Sequence, residues 1–227
     1  MKHRGPIVAI DGPVGVGKSS VARELAERLQ FLYIDTGAMY RAVTLKAMRS
    51  GLDLCHTEEL ASMANKTELR FVRSEGNLRI LCDGEDVSGE IRSPEVSVNT
   101  SPVADNVAVR ERMVALQRKM GGEGNIVMEG RDIGTVVFPN AEIKIFLDGD
   151  PKVRAERRYR ESIERGRSAT WEETYNALLE RDRRDRSRPV GALKETEDSI
   201  VVDTTHLNRS EVVDKLYEIV IQYQQNE

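Results

Sequence analysis

Residues 12–19 read Gly12-Pro13-Val14-Gly15-Val16-Gly17-Lys18-Ser19, a G-x-x-x-x-G-K-[ST] phosphate-binding loop closed by a second hydroxyl at Ser20. Each position answers a chemical need. Glycines let backbone N–H groups crowd around phosphate oxygens without interference from a Cβ. Lys18 supplies a point charge for the outer phosphates, and the Ser19 hydroxyl suits a magnesium ion. The apolar run Ile7-Val8-Ala9-Ile10 precedes the loop, and a helical pattern from Val21 to Leu29 follows it. A strand before and a helix after turn the motif into a site, because the helix N-terminus offers free amides and the positive end of its dipole to the same anion. The residues predict that a nucleotide phosphate binds here.

A second anion-binding chemistry is written in arginine. Of the 34 basic residues, 25 are arginine, the side chain that grips phosphate with two parallel hydrogen bonds and stays charged when desolvated. Between Arg154 and Arg188 there are eleven arginines, no lysine and eight acidic side chains. Many will be solvated helix-face pairs. Arg154, Arg157 and Arg158 nevertheless share one helix face, as do Arg181, Asp185 and Arg188 on the next, and an anionic ligand would explain both groups. The Gly166 region between these helices gives the segment a hinge for lid-like movement.

The elements that must position these groups follow from periodicity. Strands are expected at 7–10, 31–34, 126–129, 143–147 and 199–203, and helices at 18–29, 37–50, 107–120, 151–165, 171–186 and 209–224. Alternation of this kind predicts a parallel sheet covered on both faces, with ligands beyond the carboxyl ends of its strands. Those ends carry Asp11-Gly12, Asp35-Thr36-Gly37, Glu129-Gly130-Arg131-Asp132, Asp148 and Asp203. Residues 69–73 and 78–81 flank a Ser74-Glu75-Gly76-Asn77 turn and predict a hairpin, with a third short piece after Asp83-Gly84. Together they form an antiparallel insertion over roughly 60–100.

The 227-residue chain suits one substantial domain. Its formal net charge of −4 argues against a nucleic-acid polymer as partner. Cys55 and Cys82 are too few for a disulfide framework, and His3, His56 and His206 make no ligand cluster, so reduced thiols and surface histidines are expected. No signal-peptide pattern or membrane-length apolar run appears, which predicts a cytoplasmic protein, and no spare apolar helix face suggests anything but a monomer.

A phosphate loop alone does not choose a reaction. Asn65-Lys66-Thr67-Glu68 and Asp86-Val87-Ser88-Gly89 imitate guanine-nucleotide switch motifs, but their order is inverted and the first ends in Glu. A kinase for a small phosphorylated acceptor needs two anion sites and enough arginine and magnesium to offset their combined charge. Arg41, Arg131 and the arginine-rich helices meet that need.

Several blocks then resemble the bacterial cytidylate kinases, a family of nucleoside-monophosphate kinases. They are Gly12–Ser20, Asp35-Thr36-Gly37-Ala38-Met39-Tyr40-Arg41, Asp86–Arg92, Gly130-Arg131-Asp132-Ile133-Gly134-Thr135-Val136-Val137-Phe138-Pro139 and Glu180–Arg188. The resemblance runs in order from about Ile7 to about Ile221. It implies an α/β P-loop three-layer fold with a parallel core sheet, an antiparallel acceptor-binding insertion and an Arg-rich helical lid over 152–170. It further implies ATP with Mg²⁺ as donor and CMP or dCMP as acceptor. By position, Thr36, Arg41, Arg131 and Arg188 would handle the acceptor phosphate. Ser101, Arg110 and Asp132 would contact cytosine, and Arg181 with Asp185 would hold the sugar. Lys18, Arg131, Arg157 and Arg188 would serve the transfer, with Arg157 closing over ATP. Two alternatives stand beside these roles: Ser101 as a helix N-cap next to Pro102, and Asp132 as an orienter of Arg131 or a cap on the turn at Gly134. Another acceptor (UMP, AMP or a non-nucleotide) and a nucleotide-dependent switch are the competing functions.

Overall fold

The run Ile7-Val8-Ala9-Ile10 has no polar face, and it becomes the middle of the sheet. The computed structural model describes residues 5–74, 77–166 and 168–226; His3, Glu75, Gly76 and Arg167 lie outside them. The elements in chain order are β1 (Ile7–Asp11), α1 (Lys18–Leu29), β2 (Leu32–Asp35), α2 (Thr36–Arg49), α3 (Thr57–Lys66), β3 (Leu69–Ser74), β4 (Asn77–Cys82) and β5 (Glu85–Asp86). There follow α4 (Pro94–Asp105), α5 (Val107–Met120), β6 (Ile126–Glu129), β7 (Ile143–Asp148), α6 (Pro151–Glu164), α7 (Trp171–Ser187), β8 (Ile200–Asp203) and α8 (Arg209–Gln225). A single 3₁₀ turn occupies Glu90–Arg92, and a short π-helical turn occupies Ile133–Val137.

The core sheet has the order β2-β6-β1-β7-β8. Central β1 runs parallel to β6 with Ile7 opposite Ile126, and parallel to β7 with Val8 opposite Ile143. All five residues of β1 and all four of β6 are buried, so both sheet faces are covered, which is the condition for a parallel sheet. Helix α1 packs on β6 and against α8, and Val21 and Leu25 of α1 and Val213 and Leu216 of α8 are buried. Lys144 is the exception inside a buried strand. Its Nζ reaches Asp198 at 2.6 Å, so the charge is paired at the surface while the stem fills the sheet face.

The chain divides into two compact units, Met1–Tyr33 with Gly121–Glu227, and Ile34–Met120. The second unit holds the predicted hairpin: β3 and β4 pair antiparallel with Leu69 opposite Cys82, and β5 adds the third piece. Two helices that periodicity did not reveal flank it. Helix α3 is short and buries only Leu60 and Ala64, with the His56 imidazole accepting at its N-cap. Helix α4 begins at Pro94 behind a Ser93 cap and continues through Pro102. Ser101 therefore lies inside a helix, and the N-cap alternative for it is wrong; Ser93 does that work. Cys55 and Cys82 are free thiols, and burial above all pushes the Cys82 thiol up to about 11.

Leu25 is fully buried where α1 meets the sheet and α8. Leu25→Ala is expected to lower unfolding free energy by about 2–5 kcal/mol, read by urea denaturation, as cavity-forming core substitutions do.

Candidate active site

The phosphate loop is shaped by its neighbours. Gly12 has φ +150°, and a Cβ there would lie 2.1 Å from the Leu147 carbonyl oxygen of β7. Only glycine fits that approach. Gly15 and Gly17 also have positive φ. Gly17 sits at the N-cap of α1 without a side-chain cap, and the first turn carries no acid, so the helix presents unsatisfied amides beside Lys18, Ser19 and Ser20. Ser19 and Ser20 are exposed, whereas Lys18 is buried and its Nζ donates to the Pro13 carbonyl at 2.6 Å. Burial above all, and then the Arg131 charge, hold the Lys18 ammonium well below its ordinary pKa, while Glu129, Asp11 and Asp185 oppose that shift.

At the ends of β1 and β6 the acids are arranged as supports. Asp11 is buried, and its two oxygens accept from the backbone N–H groups of Ile133 (2.9 Å) and Gly134 (2.8 Å). Asp132 makes no side-chain cap on the turn it precedes, so Asp11 rather than Asp132 fills that role. Glu129 accepts from the Tyr33 hydroxyl at 3.2 Å. Arg131 Nε donates to Asp185 Oδ2 at 2.7 Å, and Arg188 Nη2 donates to Asp185 Oδ1 at 3.1 Å. Asp185 thus bridges two arginines. Burial alone would raise its carboxyl, but Arg131, together with Arg181 and Arg188, holds it below the usual value. The same attraction overcomes burial at Arg131 and raises its pKa.

The arginine-rich helices separate into different jobs. Arg154 is almost fully buried: it donates to the carbonyls of Val14 (3.0 Å) and Gly149 (2.9 Å) and to Asp182 Oδ2 (2.7 Å). Its charge is met by a buried carboxylate, so it ties the loop to α6 and α7 instead of awaiting an anionic ligand. Val14 completes that tie by packing on Ala155, Leu178 and Tyr175. Arg157 donates to Thr204 Oγ1 and to the carbonyls of Thr204, Thr205 and Leu207, so its guanidinium lies on the loop after β8 and not on the phosphate loop. Arg158 is the neighbour that approaches: its Cδ would be 3.4 Å from a Cβ on Gly15.

In the second unit, Asp35 Oδ1 caps α2 by accepting from Ala38 N–H at 2.8 Å, and Oδ2 takes Arg41 Nη2 at 3.1 Å. Arg41 Nε is buried with no hydrogen-bond partner, an orphaned donor of the kind a ligand satisfies. Thr36 is buried in the first turn of α2. Arg110 lies over the Tyr40 ring at 5.6 Å and donates to the Ala104 carbonyl at 3.1 Å. Ser101 is half-buried in α4. Sequence reasoning named Asp11 only within a strand-end cluster and Arg154 only as a candidate for an anionic ligand; it missed the amides Asp11 holds and the Asp182 that pairs Arg154. For Asp11 a signal existed, since an acid directly before a phosphate loop needs donors of its own.

A parallel sheet whose central strand ends in a phosphate loop, with arginine-rich helices tied to that loop, defines a P-loop phosphotransferase fold. A gluconokinase from Sinorhizobium meliloti 1021 shares it with a TM-score of 0.50 at 15% identity, covering 100% of this chain and 97% of that one. The cytidylate kinase family model matches residues 8–222. The cytidylate kinase of Pelotomaculum thermopropionicum is 52% identical over 209 residues, 92% of each chain. That of Bacillus subtilis (strain 168) is 42% identical over 95% of this chain and 96% of its own. The chain belongs to the cytidylate kinase family.

Because the Asp185 carboxyl is held low in the folded state, its ion pairs contribute fully above the ordinary aspartate value of about 3.9 and fade as pH falls below it. The stability gap between wild type and Asp185→Asn should therefore be widest at neutral pH and shrink below about pH 4. Urea unfolding at several pH values measures it; a gap unchanged down to pH 3 would mean the bridge carries no charge-dependent stability.

Proposed function

We propose that this chain transfers the γ-phosphoryl group of ATP to CMP or dCMP, giving ADP and CDP or dCDP. Family membership supports the reaction class, and the orphaned, buried Arg41 donor is the single structural observation that carries an anionic acceptor. In this reading Gly12–Ser20 cradle the donor phosphates. Lys18 stabilises charge developing on the transferred group. Thr36, Arg41, Arg131 and Arg188 hold the acceptor phosphate, Ser101, Arg110 and Asp132 read cytosine, and Arg181 with Asp185 orients the sugar. Arg157, with neighbouring lid arginines such as Arg158, closes over ATP, and to do so it leaves the carbonyls of the loop after β8 that it binds here. The enzyme acts as a cytoplasmic monomer without a nucleic-acid polymer. Among the described residues no helix is long and apolar enough to cross a membrane.

Magnesium fits this chain as a guest of the nucleotide. Among the described residues no group of three His, Cys, Asp or Glu is placed to hold a metal, whereas the exposed Ser19 hydroxyl is a hard oxygen donor beside the phosphate loop. Ser19 would hold the ion together with phosphate oxygens, and the ion would neutralise phosphate charge there.

Lys18→Ala is expected to lose on the order of 10²-fold or more in kcat while remaining folded by circular dichroism. Near-normal turnover in a folded variant would remove Lys18 from the reaction.

Cytosine presents an amino donor where uracil presents a carbonyl, and an ionised Asp132 would attract the first and repel the second. A buried polar contact of this kind can discriminate by up to about 10⁴-fold. Coupled ADP release should be fastest with CMP among CMP, UMP, AMP and buffer, and Asp132→Ala should lower kcat/KM for CMP far more than for UMP. Equal proportional losses would remove Asp132 from base reading, and slow turnover indifferent to acceptor would indicate a switch.

A further inference from the structure

Asp11 stands outside the roles assigned above, yet its geometry joins two of them. It is the last residue of β1 and leads directly into Gly12. Its carboxylate accepts two successive amides, Ile133 N–H and Gly134 N–H, immediately after Arg131-Asp132. A carboxylate on two adjacent N–H groups fixes both the position and the tilt of that backbone, which one hydrogen bond does not. A Cβ on Gly134 would sit 3.3 Å from the Lys144 stem and 3.5 Å from Asp11 Oδ2, so any side chain at 134 would meet the clamp directly.

We propose that Asp11 is a positioning residue for phosphoryl transfer: by clamping the Ile133 and Gly134 amides it sets Arg131 and Asp132 in place relative to Lys18. The proposal rests on the CMP kinase reading above. Misplacing groups by about an ångström costs on the order of 10²-fold in rate. A neutral side chain at position 11 is poorer at the task, because an amide can offer only one acceptor oxygen to two donors.

The clamp also titrates. Burial pushes the Asp11 carboxyl up to about 6, and the nearby Asp132 charge pushes the same way. The bonds from Gly134 and Ile133 and the Lys18 ammonium oppose the rise. The other charged groups around Lys18 at these strand ends are Glu129, Arg131 and Asp185. The carboxylate is therefore whole above pH 6 and becomes a neutral acid below it, resembling Asp11→Asn.

The test is the ratio of wild-type to Asp11→Asn kcat/KM for CMP across pH 5–8. Taking the ratio cancels titration of the substrates, which both enzymes share. We expect a ratio of about 10–100 at pH 8 that falls toward 1 with a midpoint near 6. A ratio independent of pH, or close to 1 throughout, overturns the proposal, since a merely structural carboxylate would not impose that profile. Should Asp11→Asn not fold, the wild-type protein decides by NMR. The Ile133 and Gly134 amide resonances should shift together with that midpoint, and resonances that do not titrate overturn the clamp. Failure of the reading itself looks different: wild-type enzyme would not turn over CMP above its rate with UMP or AMP.

Discussion

A lysine held away from water next to an arginine can exist only if carboxylates are built around it, and much of this chain supplies them. Lys18 loses hydration by burial and feels Arg131, while Glu129, Asp11 and Asp185 counter both effects. These acids come from β1, β6 and α7, elements far apart in sequence. The parallel sheet brings two of them to adjacent strand ends, and α7 delivers the third. The result is a lysine beside an arginine whose desolvation and repulsion three carboxylates moderate without cancelling, so the ammonium still lies well below its ordinary pKa.

The same logic accounts for the division of labour among arginines. Composition announces that arginine is abundant but does not say which ones will be consumed by the protein itself. Arg154 is spent on Asp182 and two carbonyls, and Arg157 on the loop after β8. Arg131 and Arg188 share Asp185 and stay close to one another despite like charge. A single carboxylate with two acceptor oxygens is what permits that proximity.

The fold was legible where local pattern and tertiary environment agree. The buried runs of β1, β6 and β7 and the hairpin of β3 and β4 fall within a residue or two of their expected limits, since unbroken apolar runs and turn chemistry are local signals. Helices α3 and α4 were not legible. The first is only ten residues long with two buried side chains, and the second contains Pro102 and a run of Ser, Thr and Asn that reads as loop. Within the site, the motif residues were visible one at a time. Their partners were not, because Asp11 meets Ile133 across more than a hundred residues and spacing cannot report such a contact. Arg157 marks the other limit: helical phase put it on a face with Arg154 and Arg158, but that it bonds the loop after β8 is a tertiary fact no spacing reports.

The pinching of Gly12 against the Leu147 carbonyl carries a thermodynamic meaning. That contact is made by the protein alone, as are the Arg154 bond to Val14 and the packing of Val14 on Ala155. The loop's curvature is thus fixed during folding, when its conformational entropy is surrendered together with that of the sheet. A nucleotide meeting a loop already frozen in shape loses little of its binding free energy to ordering the backbone, and more remains for holding the phosphates.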